Sequence, residues 1–288
     1  MTDSEFPEPT FIANGAWPSF SPDGKEVVFT GGNQNDGYYL QKIDRTGGTT
    51  TTISPLDFYS ASRPDWSWNQ ETIALTGQEE EGPTSSLYLV NPDGSKFIQV
   101  AGLDDYTLVY PSWYKDCEHV VMMGYGPLAG SHDHQALFKI NVNTSKIELL
   151  FYEDNFCAGR PSISPDGPQV VFAGTEGSYN QQNNQIWLNP PLQRLGSGTP
   201  SEDQGRSPNW SPDGKWIVFE TDRFSQSGNY TLAVMPASTP VDGDATPIQI
   251  LSTEYKAHHP EWSRDQEYIV FGDSTQGVGF IKTPKQFR

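Results

Sequence analysis

Cysteine is scarce. Cys117 and Cys157 are the only two in 288 residues, which excludes a disulfide framework and leaves two unpaired thiols as the expectation. Basic residues are scarce as well: 18 Lys and Arg stand against 36 Asp and Glu, a formal net charge of −18. That balance argues against nucleic acid or an anionic membrane as partner, because both require cations that displace counterions. No apolar run reaches the length of a membrane span, and Met1 to Pro9 is acidic and polar. As written, nothing directs the chain to or through a membrane. A cytoplasmic location is therefore expected for the chain as it stands, and a secreted or periplasmic one if a leader has been removed. Also missing are a Gly-x-Ser-x-Gly elbow, a nucleotide-phosphate loop, a dinucleotide fingerprint and a Cys–His nucleophile, so serine-hydrolase and nucleotide chemistry are set aside.

What is plentiful points to turns and strands. Gly (27) and Pro (23) together make about 17% of the chain, and 15 Phe, 13 Tyr and 8 Trp make one residue in eight aromatic. Charged residues are only 19%. This composition predicts a folded, turn-rich, all-β protein rather than a disordered or long-helical one.

An internal repeat organises the whole sequence. Six segments run Pro, any residue, an aromatic or Ile, Ser or Tyr, a polar turn and then an apolar strand. They begin at Pro18, Pro64, Pro111, Pro161, Pro208 and Pro260, at spacings of 46, 47, 50, 47 and 52. Three carry an intact Ser-Pro-Asp-Gly turn (Ser21–Gly24, Ser164–Gly167, Ser211–Gly214), in which Pro presets φ and Gly is expected at positive φ. Second hairpins follow, such as Leu87–Val90 turning at Asn91-Pro-Asp-Gly94 into Phe97–Val100, and Leu137–Ile140 followed by Ile147–Leu150. Each unit reads as a four-stranded antiparallel sheet, and strands at this period fit propeller blades. The sixth unit stops after its third strand, Val278–Ile281, and Thr10–Ala13 is placed to supply the fourth. The expectation is a single domain over residues 1–288, a six-bladed β-propeller closed by its N-terminal strand.

At these turns the sequence resembles the PD40 repeats, a WD40-like class, of TolB-like six-bladed β-propellers. The resemblance covers almost the whole chain. It implies the propeller fold and, as one functional option, a non-catalytic protein–protein interaction module. About nine residues precede the first strand, so the extra N-terminal α/β domain of TolB is not expected.

Blade geometry sorts the candidates. The Pro-Asp-Gly turns belong to one face, and the residues entering each innermost strand belong to the other, at the mouth of a central channel. Those residues are Trp17, Arg63, Tyr110, Arg160, Ser207 and His259, with Arg206 and His258 beside two of them. Guanidinium forks suit carboxylate or phosphate, so Arg63, Arg160 and Arg206 are candidate anion ligands; ion pairs with Asp65, Asp104 or Asp105 are the structural alternative. Tyr110 and His259 are candidate proton-transfer residues, and Trp17, Tyr125 and His258 candidate ligand contacts. His132 and His134, in the loop Gly124–His134, form a His-x-His pair that a divalent metal could use, with Asp133 or Glu79 to Glu81 completing the set; polar histidines in a surface loop are the alternative. His119 is expected to be structural. Trp66, Trp113, Trp210 and Trp262 recur at one repeat position and read as core.

Two functions of different class remain open. One is a channel-mouth site for a small anionic molecule or acidic saccharide, with lyase, isomerase or cyclase chemistry run by Tyr110 and His259. The other is the protein-binding module. The sequence requires no cofactor, a divalent metal is an option, and a monomer is the expected state.

Overall fold

The computed structural model describes residues 6–33, 37–82, 84–103, 107–126, 135–177, 184–196, 204–238 and 246–288. They form four β-sheets, and a 3₁₀ turn at Lys285–Phe287 follows the last strand. One sheet holds Arg206–Trp210, Trp216–Thr221, Thr231–Pro236 and Ile248–Gln249 in sequence order. A second holds Ala257–Trp262, Tyr268–Asp273 and Gly277–Lys282, and its fourth strand is Thr10–Ala13 from the far end of the chain. There Thr10 faces Phe280 and Phe11 faces Gly279, antiparallel. The two larger sheets are each two antiparallel groups joined by one parallel bridge, Tyr38 to Ser60 in one and Gln135 to Cys157 in the other. No helix among the described residues is long and apolar enough to cross a membrane.

The turns show why the degenerate repeats still fold. In the intact turn Ser21 Oγ donates to Asp23 Oδ1 (2.8 Å) and accepts from Glu26 N (2.9 Å), and Gly24 sits at φ 69°. Ser211, Asp213 and Gly214 reproduce this arrangement. Where Gly is missing, Gln70, Cys117 and Gln266 take the same left-handed conformation, at φ 68°, 56° and 63°. That costs about 1–2 kcal/mol each. The third intact turn departs from expectation, because Gly167 is not at positive φ. Pro168 follows it and steers the preceding residue toward extended backbone; Ser164 Oγ donates to the Gly167 carbonyl instead (2.9 Å).

The core lies between neighbouring sheets. Trp66, Trp113, Trp210 and Trp262 are buried within it, and each apolar cluster mixes side chains from adjacent repeats, as Val28 and Leu40 do with Trp66, Ile73 and Leu75. The first strands of the repeats are Ala16–Phe20, Ser60–Trp66, Thr107–Trp113, Phe156–Ile163, Arg206–Trp210 and Ala257–Trp262. We call them the inner strands. After five of the six repeat prolines, the side chain that follows ties one inner strand to the next. Ser19 Oγ accepts from Trp66 N (3.1 Å), Asp65 Oδ2 from Trp113 N (2.6 Å) and Ser162 Oγ from Trp210 N (3.3 Å). Asn209 Oδ1 accepts from Trp262 N (3.2 Å), and Glu261 Oε1 from Phe20 N (3.2 Å), back in the first repeat.

Ser19→Ala leaves the buried Trp66 amide without an acceptor. It is expected to cost about 1–3 kcal/mol, read as a lower midpoint in urea denaturation, whereas Ser19→Thr keeps the hydroxyl and most of the stability.

Candidate functional site

Each inner strand loses register where its proline begins, with bulges between Ala16 and Ser19, Ser62 and Asp65, Val109 and Ser112, Gly159 and Ser162, Arg206 and Asn209, and His258 and Glu261. At every bulge the residue before proline is left-handed: Trp17, Arg63, Tyr110, Arg160, Ser207 and His259 have φ between 48° and 57°. Bulges re-aim side chains, and these six converge on one cavity of about 90 Å³. Because Trp, Arg, Tyr, Ser and His all adopt the conformation, it belongs to the architecture. The chemistry lies in which side chains occupy it.

Arg63 is stacked between aromatic faces, its guanidinium carbon 4.6 Å from the Trp17 ring centre and 4.8 Å from that of Tyr110. One nitrogen donates to Ser62 Oγ (3.1 Å), its Nε is buried without a partner, and no carboxylate among the described residues pairs with it. Arg160 differs. It donates to Glu220 Oε1 (2.8 Å) and Ser207 Oγ (3.0 Å). The expected partners Asp104 and Asp105 lie outside the described residues, and Asp65 is not the partner of either arginine.

Glu220 is the site residue that sequence reasoning missed. It is fully buried and collects Arg160, Ser207 Oγ (2.6 Å), His258 Nδ1 (2.7 Å) and Arg206 (3.5 Å). Burial pushes its proton affinity up, but the His258 hydrogen bond and the neighbouring positive charges outweigh that and hold the carboxyl well below its ordinary range. A signal was present in the sequence. After the apolar runs, the other repeats carry Thr30, Thr76, Met123, Ala173 and Gly272 at this position, and only this one carries an ionisable group.

The same network sets the state of His259. Burial first, and then the surrounding arginines and His258, hold its pKa well below the ordinary 6.5 despite Glu220, so the imidazole is neutral at pH 7. Ser207 has one hydroxyl proton, committed to the Glu220 carboxylate at 2.6 Å. The 2.9 Å contact between Ser207 Oγ and His259 Nδ1 then requires Nδ1 to be the donor. That tautomer leaves Nε2 with a free lone pair. The imidazole packs 5.7 Å from Trp17 and 6.0 Å from Tyr110, centre to centre. Burial raises the Tyr110 phenol, but the charges and hydrogen bonds of Arg160 and Arg63 prevail and make it more acidic than usual. The arrangement therefore holds an unpaired guanidinium, a neutral base and an acidified phenol in one cavity.

Asp65 and Glu261 also line the cavity. Burial raises the proton affinity of both, and for Glu261 the nearby Asp65 raises it further; Arg264 opposes the rise in each.

The other expected site residues fall elsewhere. Arg206 and His258 hold Glu220, and Arg206 also lies over the Tyr230 ring at 3.7 Å. Tyr125 does not line the cavity. It ends the strand His119–Tyr125 and packs on the apolar cluster around Val121 and Phe156, its alternation with Gly124 turning it to that face. His132 and His134 lie outside the described residues. Glu79 accepts the Tyr88 hydroxyl (2.7 Å), and His119 Nδ1 bonds Asp116 (2.8 Å), a structural role.

No protein-family model matches the chain. It is 26% identical over 157 residues to the uncharacterized peptidase YuxL of Bacillus subtilis, covering 54% of this chain and 21% of that protein. It is 26% identical over 235 residues to the Tol-Pal system protein TolB of Francisella tularensis, covering 81% and 47%. The chain thus spans about a fifth and about half of these relatives. Among solved structures, TolB from Acinetobacter baumannii superposes with TM-score 0.60 at 15% identity, covering 94% of this chain and 63% of that one. An oligogalacturonate lyase in complex with manganese gives 0.62 at 12%, covering 100% and 96%. A gluconolactonase from Xanthomonas campestris gives 0.67 at 11%, covering 97% and 95%. The fold is that of a TolB-like β-propeller.

Glu220 and His259 both bind protons less readily folded than unfolded, so their contributions to stability fall as pH falls, the His259 contribution below about pH 6.5 and the Glu220 contribution below about pH 4.5, the ordinary values of the unfolded chain. Asp65 and Glu261, whose proton affinity is raised, contribute in the opposite sense. The difference in melting temperature between wild type and His259→Gln, followed against pH, isolates the histidine: it should change through about pH 6.5 and be flat above it. Glu220→Ala, which strands buried cations, is expected to cost about 3–5 kcal/mol.

Proposed function

We propose that the four sheets comprise six four-stranded blades, closed by the pairing of Thr10–Ala13 with Gly277–Lys282, and that the cavity is the mouth of the central channel, where a small anion binds. The six-fold repeat, the four-stranded groups and the inner-strand hydrogen bonds support the architecture. The observation that carries the ligand reading is Arg63: a cation aimed into a cavity, with no carboxylate partner among the described residues, in a chain of net charge −18. Arg63 is half-buried, and a charge partly withdrawn from water gains by pairing, so an incoming carboxylate or phosphate completes it. Arg160 lines the same cavity and also lies over the Tyr110 ring.

The reaction that suits these groups is proton transfer on a bound acid, of the lyase, isomerase or cyclase kind. Arg63 would hold the anionic group, Nε2 of His259 would accept a proton from substrate carbon, and the acidified phenol of Tyr110 would return one to substrate oxygen or carbon. An acidic saccharide is the ligand class in view, in keeping with the sugar-acid enzymes that share the fold. The structure of the lyase neighbour contains manganese. No group of three His, Cys, Asp or Glu that could hold a metal ion converges among the described residues, and His132 and His134 lie outside them.

A second reading is favoured by the sequence match to Tol-Pal system proteins: a non-catalytic face that binds a protein partner. Propellers host both kinds of function.

The two readings separate experimentally. Arg63→Gln should weaken a channel anion about 10–100-fold, the loss of a charge-assisted contact worth roughly 1.5–3 kcal/mol, and leave a rim-bound protein unaffected. In a thermal-shift panel of organic acids, acidic sugars and phosphates, a ligand at ~100 times its Kd adds about 2.7 kcal/mol. Stabilisation of the wild type but not of Arg63→Gln is the expected result, and Tyr110→Phe should then keep binding while losing turnover.

A further inference from the structure

The inner strands share a second repeated position. The residue paired with the one before each bulge lies on the following strand: Thr30 opposite Ala16, Thr76 opposite Ser62, Met123 opposite Val109, Ala173 opposite Gly159, Glu220 opposite Arg206 and Gly272 opposite His258. In the first two repeats its hydroxyl accepts the backbone N–H of the next repeat's left-handed residue, Thr30 from Arg63 (3.0 Å) and Thr76 from Tyr110 (3.3 Å). In the sixth repeat there is no side chain. A Cβ built on Gly272 would stand 3.8 Å from Trp17 N and 3.7 Å from the nearest other atoms, which is ordinary contact. Gly272 is not at positive φ, so its backbone does not require glycine.

Gly272 lines a slot of about 440 Å³ between the sixth repeat and the first. Trp17 and His259 line both this slot and the channel cavity, so the two compartments adjoin. The channel cavity, about 90 Å³, is well below the several hundred Å³ of a typical small-molecule site. It has space for an anionic head group and not for the body of a ligand. The slot has that space. Its walls are an edge-to-face pair, Trp17 and Tyr38 (6.2 Å between centres), with the polar side chains of Asn14, Ser274 and Thr275 around them. The indole N–H of Trp17 is buried without a partner.

Resting on the channel reading above, we propose that the slot lined by Gly272 is a second binding compartment that takes the hydroxylated ring of a carboxylated sugar whose carboxylate lies at Arg63. Aromatic faces cover the apolar side of such a ring and the hydroxyl and amide groups meet its polar edge. A ligand hydroxyl beside Trp17 N stands where Thr30 and Thr76 place their own hydroxyls in the first two repeats. The head and the body are contiguous, because the Arg63 guanidinium lies 4.6 Å from the Trp17 ring centre.

The test compares D-glucuronate, which has head and ring, with acetate, which has the head alone, by calorimetric titration of wild type and Gly272→Thr. Gly272→Thr supplies the hydroxyl found in the first two repeats and occupies the wall of the slot beside Trp17 N, where the ligand hydroxyl would stand, and its melting temperature should be no lower than that of the wild type; Gly272→Ser serves as a smaller plug. Wild type is expected to bind glucuronate at least about ten-fold more tightly than acetate, roughly 1.4 kcal/mol. The plugged variants should lose that preference while binding acetate unchanged. Equal affinities in the wild type, or an undiminished preference in folded Gly272→Thr, overturn the slot and leave the channel reading standing. If neither probe binds wild type, both fall.

Discussion

The structure depends on one contact repeated along its inner strands. A side-chain oxygen, one residue past the repeat proline, accepts a buried amide of the next inner strand, as Ser19 does for Trp66 and Glu261 for Phe20. An amide stranded there would cost about 1–3 kcal/mol, and five of the six repeats supply the acceptor. Its placement requires the bulge, and the bulge requires the left-handed residue before proline. The convergence of Trp17, Arg63, Tyr110, Arg160, Ser207 and His259 is thus a by-product of how the sheets are held to each other. Two of the acceptors are carboxyl groups, Asp65 and Glu261, whose burial raises their proton affinity.

Around that frame, one carboxylate decides the electrostatics. Glu220 engages Arg160, Arg206 and His258 together, and through Ser207 it sets which nitrogen of His259 carries the proton. Arg63, which it does not touch, remains as the cation facing the cavity. The basic residues therefore divide into a set held by Glu220 and a single arginine that faces the cavity without a carboxylate partner among the described residues.

Much of the fold was legible because its determinants are local. Proline spacing, Ser-Pro-Asp-Gly turns and β-branched runs act through nearest neighbours, and even the substitutions at Gln70, Cys117 and Gln266 keep the turn they degrade. Gly167 was misread because the following proline overrides the motif. The convergence of the six residues before the repeat prolines was legible as well, since equivalent positions of a repeat share an environment. The placement of Tyr125 was not, because it ends a strand whose alternation turns it onto the apolar cluster around Val121 and Phe156.

The sequence by itself determined where each strand turns and which six residues share one position, because repetition makes every copy a report on the others. Only the tertiary structure decided which charges meet. Glu220 lies 60 residues from Arg160 and 38 from His258, and no pattern along a chain encodes a contact between different repeats. The slot at Gly272 has the same origin: an absent side chain reads as an ordinary glycine until the neighbouring repeat supplies the opposite wall.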